Sequence, residues 1–149
     1  MSMLKEYYLQ PDAPDPVLPE AEVLRCVRRF VPTAKAMTRV DESGGEARTY
    51  IVDEAIVLKV QRPQQVRVGT SLAREVFFLN QLAAAAPDLP VPRVLGYNRE
   101  TNLSEYNIQT RMPGVAYADA TLTPEEQTQV NARLAQFLAR VHPSTAPAH

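Results

Sequence analysis

The chain is short of the residues on which most small-protein chemistry depends. Its 149 residues include one cysteine, Cys26, so neither an internal disulfide nor a Cys-x-x-Cys motif can form. The two histidines, His142 and His149, exclude a His-Glu-x-x-His metalloprotease helix and leave no basis for a structural zinc site. Glycine occurs 5 times, and neither a Gly-x-x-x-x-Gly-Lys-Ser/Thr loop nor a Gly-x-Gly-x-x-Gly fingerprint is present. There is no surplus of charge: 16 Lys and Arg against 17 Asp and Glu give a net charge of -1. Nothing in that balance calls for a nucleic acid or an acidic membrane as partner. No apolar run approaches the roughly 20 residues that span a bilayer. The first ten residues, with Lys5, Glu6, Tyr7 and Tyr8, are unlike a secretory signal. The expectation is therefore a cytoplasmic protein.

What is present suits one globular domain or a piece of a larger one. Hydrophobic residues make up 45% and charged ones 22%, too apolar for a disordered chain. A domain of this size can bury roughly 70% of its unfolded surface. Prolines punctuate it. Pro11, Pro14, Pro16 and Pro19 mark residues 1–18 as an extended N-terminal arm. Val23, Leu24, Val27, Phe30 and Val31 then recur at helical spacing, so a helix is expected over 19–31, with Pro19 in its first turn and Pro32 ending it. The period changes to two, and three strands are predicted at 37–41, 47–53 and 55–61, a meander with a tight turn at Asp53-Glu54. Leu72, Val76, Leu79, Leu82 and Ala83 restore helical spacing over 69–85. Two more strands follow at 94–98 and 106–112, then the Pro113-Gly114 turn. A last helix opens with a capping box, Thr123 with Glu126 three residues later and Pro124 between them. Its apolar face is Val130, Leu134, Phe137, Leu138 and Val141. The order implies an α+β domain: a five-stranded antiparallel sheet with one helix packed on it, flanked by an N-terminal and a C-terminal helix.

Four features could carry chemistry. Lys59 lies in the most apolar strand, where alternation puts it with Val57 on one face and Ile56, Leu58 and Val60 on the other. Such a lysine is near a strand end, snorkels to water, or meets an anion. Glu75 stands at the border of an apolar helical stripe, since Leu72, Leu79 and Leu82 are its neighbours at three, four and seven residues. Read singly, each is also an ordinary surface charge. Together, a strand lysine and a glutamate on the next helix can meet across a sheet–helix contact, holding an ammonium where it can touch ATP phosphates. The strand that runs through Gln109, Thr110, Arg111 and Met112 into Pro113-Gly114 offers free backbone groups where pairing ends, or is simply an edge strand and its turn. Ser43-Gly44-Gly45 lets backbone amides approach phosphate, or only turns the chain.

In this order the segments resemble the aminoglycoside phosphotransferase and choline kinase-like family of the protein-kinase-like fold. The matching pieces are Ser43-Gly44-Gly45, Ile56-Val57-Leu58-Lys59, Ala73-Arg74-Glu75-Val76, Val91-Pro92-Arg93-Val94-Leu95-Gly96 and Gln109-Thr110-Arg111-Met112-Pro113-Gly114. Leu134 to His142 looks like the helix that precedes the family's catalytic loop. The resemblance implies an ATP-binding N-lobe over 19–114, then a linker and the first helix of a C-lobe over 115–142, with a tail at 143–149. It implies that Lys59 contacts the α- and β-phosphates and that Glu75 holds Lys59. Ser43, Gly44 and Gly45 would cover the phosphates, and Val57 would line the base site. Thr110, Arg111 and Met112 would form the hinge that reads adenine through the backbone. Gln109 takes the gatekeeper position, more often apolar in the family, and Thr110 stands where an acidic residue is frequent.

The family's catalytic aspartate and its magnesium-binding asparagine and aspartate follow the helix that here ends at His142. Asp119 and Asn131 are the last of their kinds in these 149 residues. The resemblance therefore implies a chain that binds ATP, carries no magnesium ligands of its own, and is not catalytic alone. His142 is expected simply to end its helix. The last helix would lack the cover of a second lobe, so a missing C-lobe partner or a homo-oligomer is expected. The alternatives are a non-catalytic interaction module that self-associates through the last helix, and a generic α+β domain.

Overall fold

The computed structural model describes residues 17–42, 46–62, 72–99 and 105–142. The chain runs α1 (Glu20–Arg28), β1 (Met37–Asp41), β2 (Ala47–Val52), β3 (Ile56–Gln61), α2 (Leu72–Ala85), β4 (Val94–Asn98), β5 (Tyr106–Thr110), a single 3-10 turn (Tyr117–Asp119) and α3 (Pro124–Val141). The strands form one antiparallel sheet in the order β1-β2-β3-β5-β4. The three-strand meander is as expected, and β5 rather than β4 lies beside β3. The proposed phosphate-covering turn Ser43-Gly44-Gly45 falls outside the described residues, as does most of the N-terminal arm.

Alternation along β3 decides which side of the sheet does what. Leu58 and Ile56 turn to one face and join Tyr50, Val52, Tyr106 and Ile108 in the main core. Against them pack Val23, Leu24, Cys26 and Val27 of α1, three of which are wholly excluded from solvent. Each aliphatic side chain so buried contributes about 1.5–3 kcal/mol, and this face accounts for most of the core. Cys26 is accordingly a small apolar packing residue. The opposite face is covered by α2. The sheet thus carries a helix on each face, where the pattern alone had suggested one.

Helix α1 is shorter than its periodicity suggests. Pro19 is the residue before the helix, in extended conformation, and its carbonyl accepts from Glu22 and Val23. At the other end the N–H groups of Phe30 and Val31 both donate to the Val27 carbonyl, and Arg28 Nε donates to the Ala34 carbonyl at 2.8 Å, tying the helix end to the segment beyond Pro32.

The β2–β3 turn has an uncommon backbone. Asp53 and Glu54 both have positive φ, 52° and 54°, the left-handed pair that a tight hairpin demands. Neither is glycine, so the strain is offset elsewhere. The Asp53 carboxylate accepts from the backbone N–H of Lys35 at 2.9 Å and of Ala36 at 3.0 Å. Those two bonds stabilise the ionised carboxylate and hold its pKa below the ordinary carboxylate value. Glu54 is held below its ordinary value by the Thr38 hydroxyl, then by Arg111, with which it forms an ion pair.

Helix α3 opens with the expected capping box: Glu126 N–H donates to Thr123 Oγ1 at 3.2 Å, and Thr123 N–H to Glu126 Oε2 at 2.8 Å. His142 ends it, its N–H donating to the Leu138 carbonyl. The apolar face expected to lack cover is divided. Phe137 and Val141 pack on a second cluster of Leu79, Leu82, Leu89 and Val91, and Arg140 makes a two-pronged ion pair with Asp88 at 2.7 Å. Val130, Leu134 and Leu138 remain open, Leu134 half exposed at 51%.

Candidate functional site

The site lies on the α2 side of the sheet, where β3 and β5 adjoin. Lys59 sits mid-strand on β3, paired with Thr49 of β2 and Asn107 of β5. With its Cβ turned away from the main core, its side chain meets α2. Leu72, Leu79 and Leu82 anchor that helix, and this sets Glu75 at its inner border. Lys59 Nζ donates to Glu75 Oε1 at 2.5 Å, each side chain about a third exposed at 30% and 33%. The ammonium is therefore fixed by one partner while still open to solvent, which suits binding of an external anion.

The other oxygen of Glu75 is also held. Asn107 Nδ2 donates to Glu75 Oε2 at 3.0 Å, and Gln109 Nε2 lies 3.4 Å from Asn107 Oδ1. Asn107 is fully buried and Gln109 is 2% exposed. Gln109 Oε1 is buried and has no hydrogen-bond partner among the described residues. The carboxylate can only accept, so Asn107 must present its NH2 to Glu75 and its carbonyl to Gln109. The chain of bonds has one direction, and it ends on a bare acceptor.

Val57 is half-buried, on the Lys59 face, and pairs with Gln109 across the β3–β5 ladder. The three predicted hinge residues differ in their freedom. Thr110 N–H donates to the Arg93 carbonyl at 2.9 Å, and Thr110 Oγ1 accepts from Arg93 N–H at 2.8 Å. Arg111 N–H donates to the Ala55 carbonyl, and its guanidinium is turned to Glu54. Both backbone donors are thus committed within the sheet. Met112 is the first residue past β5 whose backbone takes part in no such bond among the described residues, and its side chain is exposed.

Glu105 and Asn107 belong to the site although the sequence pattern does not single them out. Glu105 precedes β5 and is nearly buried; its Oε1 accepts from the N–H of Ala73, in the first turn of α2, at 2.6 Å. Its other oxygen lies 3.4 Å from Arg99. Nearby Tyr97 has its phenol pushed above the ordinary value by burial first, then by Glu105. A signal was available: polar residues stand at every second position, Asn107 and Gln109 within an interior strand and Glu105 just before it. No group of three or more His, Cys, Asp or Glu side chains among the described residues is placed to hold a metal ion, and no described helix is long and apolar enough to cross a membrane.

Residues 38–149 fit the phosphotransferase enzyme family, and the chain belongs to that family. No curated protein matches the chain closely enough to count as a relative. Among solved structures, one similar fold is the ternary complex of streptomycin, ATP and APH(2″)-IIa, with a TM-score of 0.58 at 20% identity. The match covers 89% of this chain and 43% of that one, so the chain spans less than half the length of the protein it resembles. At that identity the likeness shows the fold, which is that of a kinase-like N-lobe.

Proposed function

We propose that this chain is the ATP-binding lobe of a small-molecule phosphotransferase, with 19–114 forming the lobe and 115–142 the linker and first helix of a second one. The observation that carries the reading is the Lys59–Glu75 ion pair, held on its far side by Asn107. In it Glu75 takes one N–H of the ammonium, and the other two remain for phosphate oxygens. Val57 packs on the base, and the Met112 backbone, free of the sheet, reads its edge. Ser43, Gly44 and Gly45 are assigned to cover the phosphates on the strength of the family pattern. Magnesium would arrive on the nucleotide. Among the described residues no group of three or more His, Cys, Asp or Glu side chains is placed to hold it. Transfer of the γ-phosphate to a substrate hydroxyl then requires a base and metal ligands beyond those of this lobe, and the lobe alone binds without turning over.

The test is thermal unfolding with and without Mg-ATP and Mg-ADP, on the wild type and on Lys59→Ala. A nucleotide-dependent rise in Tm in the wild type that is lost in the variant supports the reading. No rise in the wild type refutes it. The open stripe of Val130, Leu134 and Leu138 supports a second reading, an interaction module that pairs through α3. Light scattering that gives a stable dimer with no nucleotide response would favour it.

A further inference from the structure

A helix that packs on a sheet usually does so through apolar side chains. Here the strand face beneath the functional part of α2 is polar. Glu105, Asn107 and Gln109 follow one another at every second position, with exposures of 9%, 0% and 2%. The other side of the same strand, Tyr106 and Ile108, is fully buried in the apolar core. Burying three polar groups in a row is unfavourable unless each has a purpose and a partner.

Their partners lie on α2. Glu105 Oε1 takes the N–H of Ala73, a donor in the first helical turn, where intrahelical acceptors are lacking. Asn107 Nδ2 takes the second carboxylate oxygen of Glu75, two residues further along. One grip is on the helix backbone and the other on the side chain that matters. Gln109 supports the second grip by donating to Asn107. Asn107 also sits directly across the ladder from Lys59. One residue pair of the sheet therefore sets the lysine and the holder of its counter-ion together.

We propose that Glu105 and Asn107 are positioning residues, a polar ladder on β5 that places α2 and locks the Glu75 carboxylate for Lys59. The proposal deepens the nucleotide-lobe reading and rests on it for its functional consequence. Its structural content is that, among the described residues, the ion pair is assembled by β3, β5 and α2. The lobe is then organised for an anion before any second lobe engages, because among the described residues the bonds that hold Glu75 and Ala73 come from β3, β5 and the Glu105 position that leads into β5.

The experiment uses the full chain and three substitutions. Asn107→Leu keeps the volume and removes the grip on Glu75. Glu105→Leu removes the grip on Ala73, and Glu105→Gln keeps a carbonyl acceptor there. Mg-ATP affinity is measured by calorimetry, Tm without ligand by circular dichroism, and amide exchange by NMR. Asn107→Leu is expected to weaken Mg-ATP at least tenfold while Tm falls only slightly, since a leucine suits a buried site but leaves the Gln109 amide without its acceptor. Glu105→Leu is expected to speed exchange of the Ala73 amide at least tenfold and to weaken Mg-ATP, and Glu105→Gln to restore both. The proposal is overturned if Asn107→Leu binds as the wild type, if affinity falls only in step with Tm, or if Ala73 exchange is unchanged in Glu105→Leu. Should the wild type itself bind no Mg-ATP, the functional reading falls and exchange still decides the ladder. Slow exchange of the Asn107 side-chain NH2, lost in Glu75→Ala, then supports it, and fast exchange in the wild type overturns it.

Discussion

Removing the Lys59 ammonium should separate folding from ligand binding. In Lys59→Ala the lost ion pair joins two side chains that are each about a third exposed. Pairs of that kind contribute at most about 1 kcal/mol once solvent screening and side-chain entropy are counted. The charge left behind is not stranded, because Glu75 keeps Asn107 as donor and keeps its access to water. The 3–5 kcal/mol typical of breaking a fully buried pair therefore does not apply. At about 4 °C per kcal/mol for a domain of this size, the unliganded variant should melt within about 4 °C of the wild type. The ligand term is larger. At 100 times its dissociation constant a nucleotide stabilises the wild type by about 2.7 kcal/mol, or about 11 °C by the same conversion. Differential scanning fluorimetry over a series of Mg-ATP concentrations reads both quantities. The wild type should climb with ligand, and Lys59→Ala should start nearly level with it and stay flat. Two results refute the reasoning. If Lys59→Ala follows the same ligand curve, the ammonium does not bind the nucleotide. If it melts far below the wild type without ligand, Lys59 is a structural residue whose burial has been misjudged.

Three further outcomes follow from the packing and the electrostatics. Leu58, next to Lys59 but on the opposite face and fully buried, should behave in reverse: Leu58→Ala loses about 2–5 kcal/mol in a urea titration. In Gly96→Ala the new Cβ would overlap Cγ, Cδ1 and Cδ2 of Phe30, close to the root of that ring, so a loss of about 1–3 kcal/mol is expected. Adding Phe30→Ala should then cost less in the Gly96→Ala background than in the wild type, and plain additivity would show that the ring and Gly96 do not meet. The Arg140 guanidinium holds the Asp88 pKa at about 2, below the ordinary aspartate value. A depressed carboxylate stabilises the fold above the unfolded value, so this contribution is full above about pH 4 and fades as pH falls toward 2. The side chains are exposed, 47% for Arg140 and 70% for Asp88, so salt should mute the effect. Unfolding scans between pH 5 and 2 at low salt should show Asp88→Asn losing less stability than the wild type; parallel curves would mean that the pair does not anchor α3.

Local pattern in the sequence was enough for the elements and their faces. A period of two put Lys59 and Val57 on one side of β3 and Leu58 on the other, because alternation is a property of the extended backbone itself. Thr123, Pro124 and Glu126 announced the start of α3 because a capping box closes within four residues. The meeting of Lys59 with Glu75 could be anticipated because a strand and the next helix are close along the chain. The family pattern set Gln109 as gatekeeper apart from Thr110, Arg111 and Met112 as hinge, but it did not say which of the three hinge residues keeps its backbone free. Tertiary structure decided what depends on elements far apart in the chain. Whether β4 or β5 lies beside β3 is not written in either strand, and that choice brings Asn107 opposite Lys59 and within reach of Glu75, 32 residues away in sequence. The same 32-residue separation joins Glu105 to Ala73, and 57 residues separate Glu54 from Arg111, which turns a predicted hinge side chain into a strut on the β2–β3 turn. Packing also chose α1 for the second face of the sheet and committed the Thr110 and Arg111 amides to neighbouring strands. Short-range periodicity fixes which way a side chain points, but only the assembled sheet determines what it finds there.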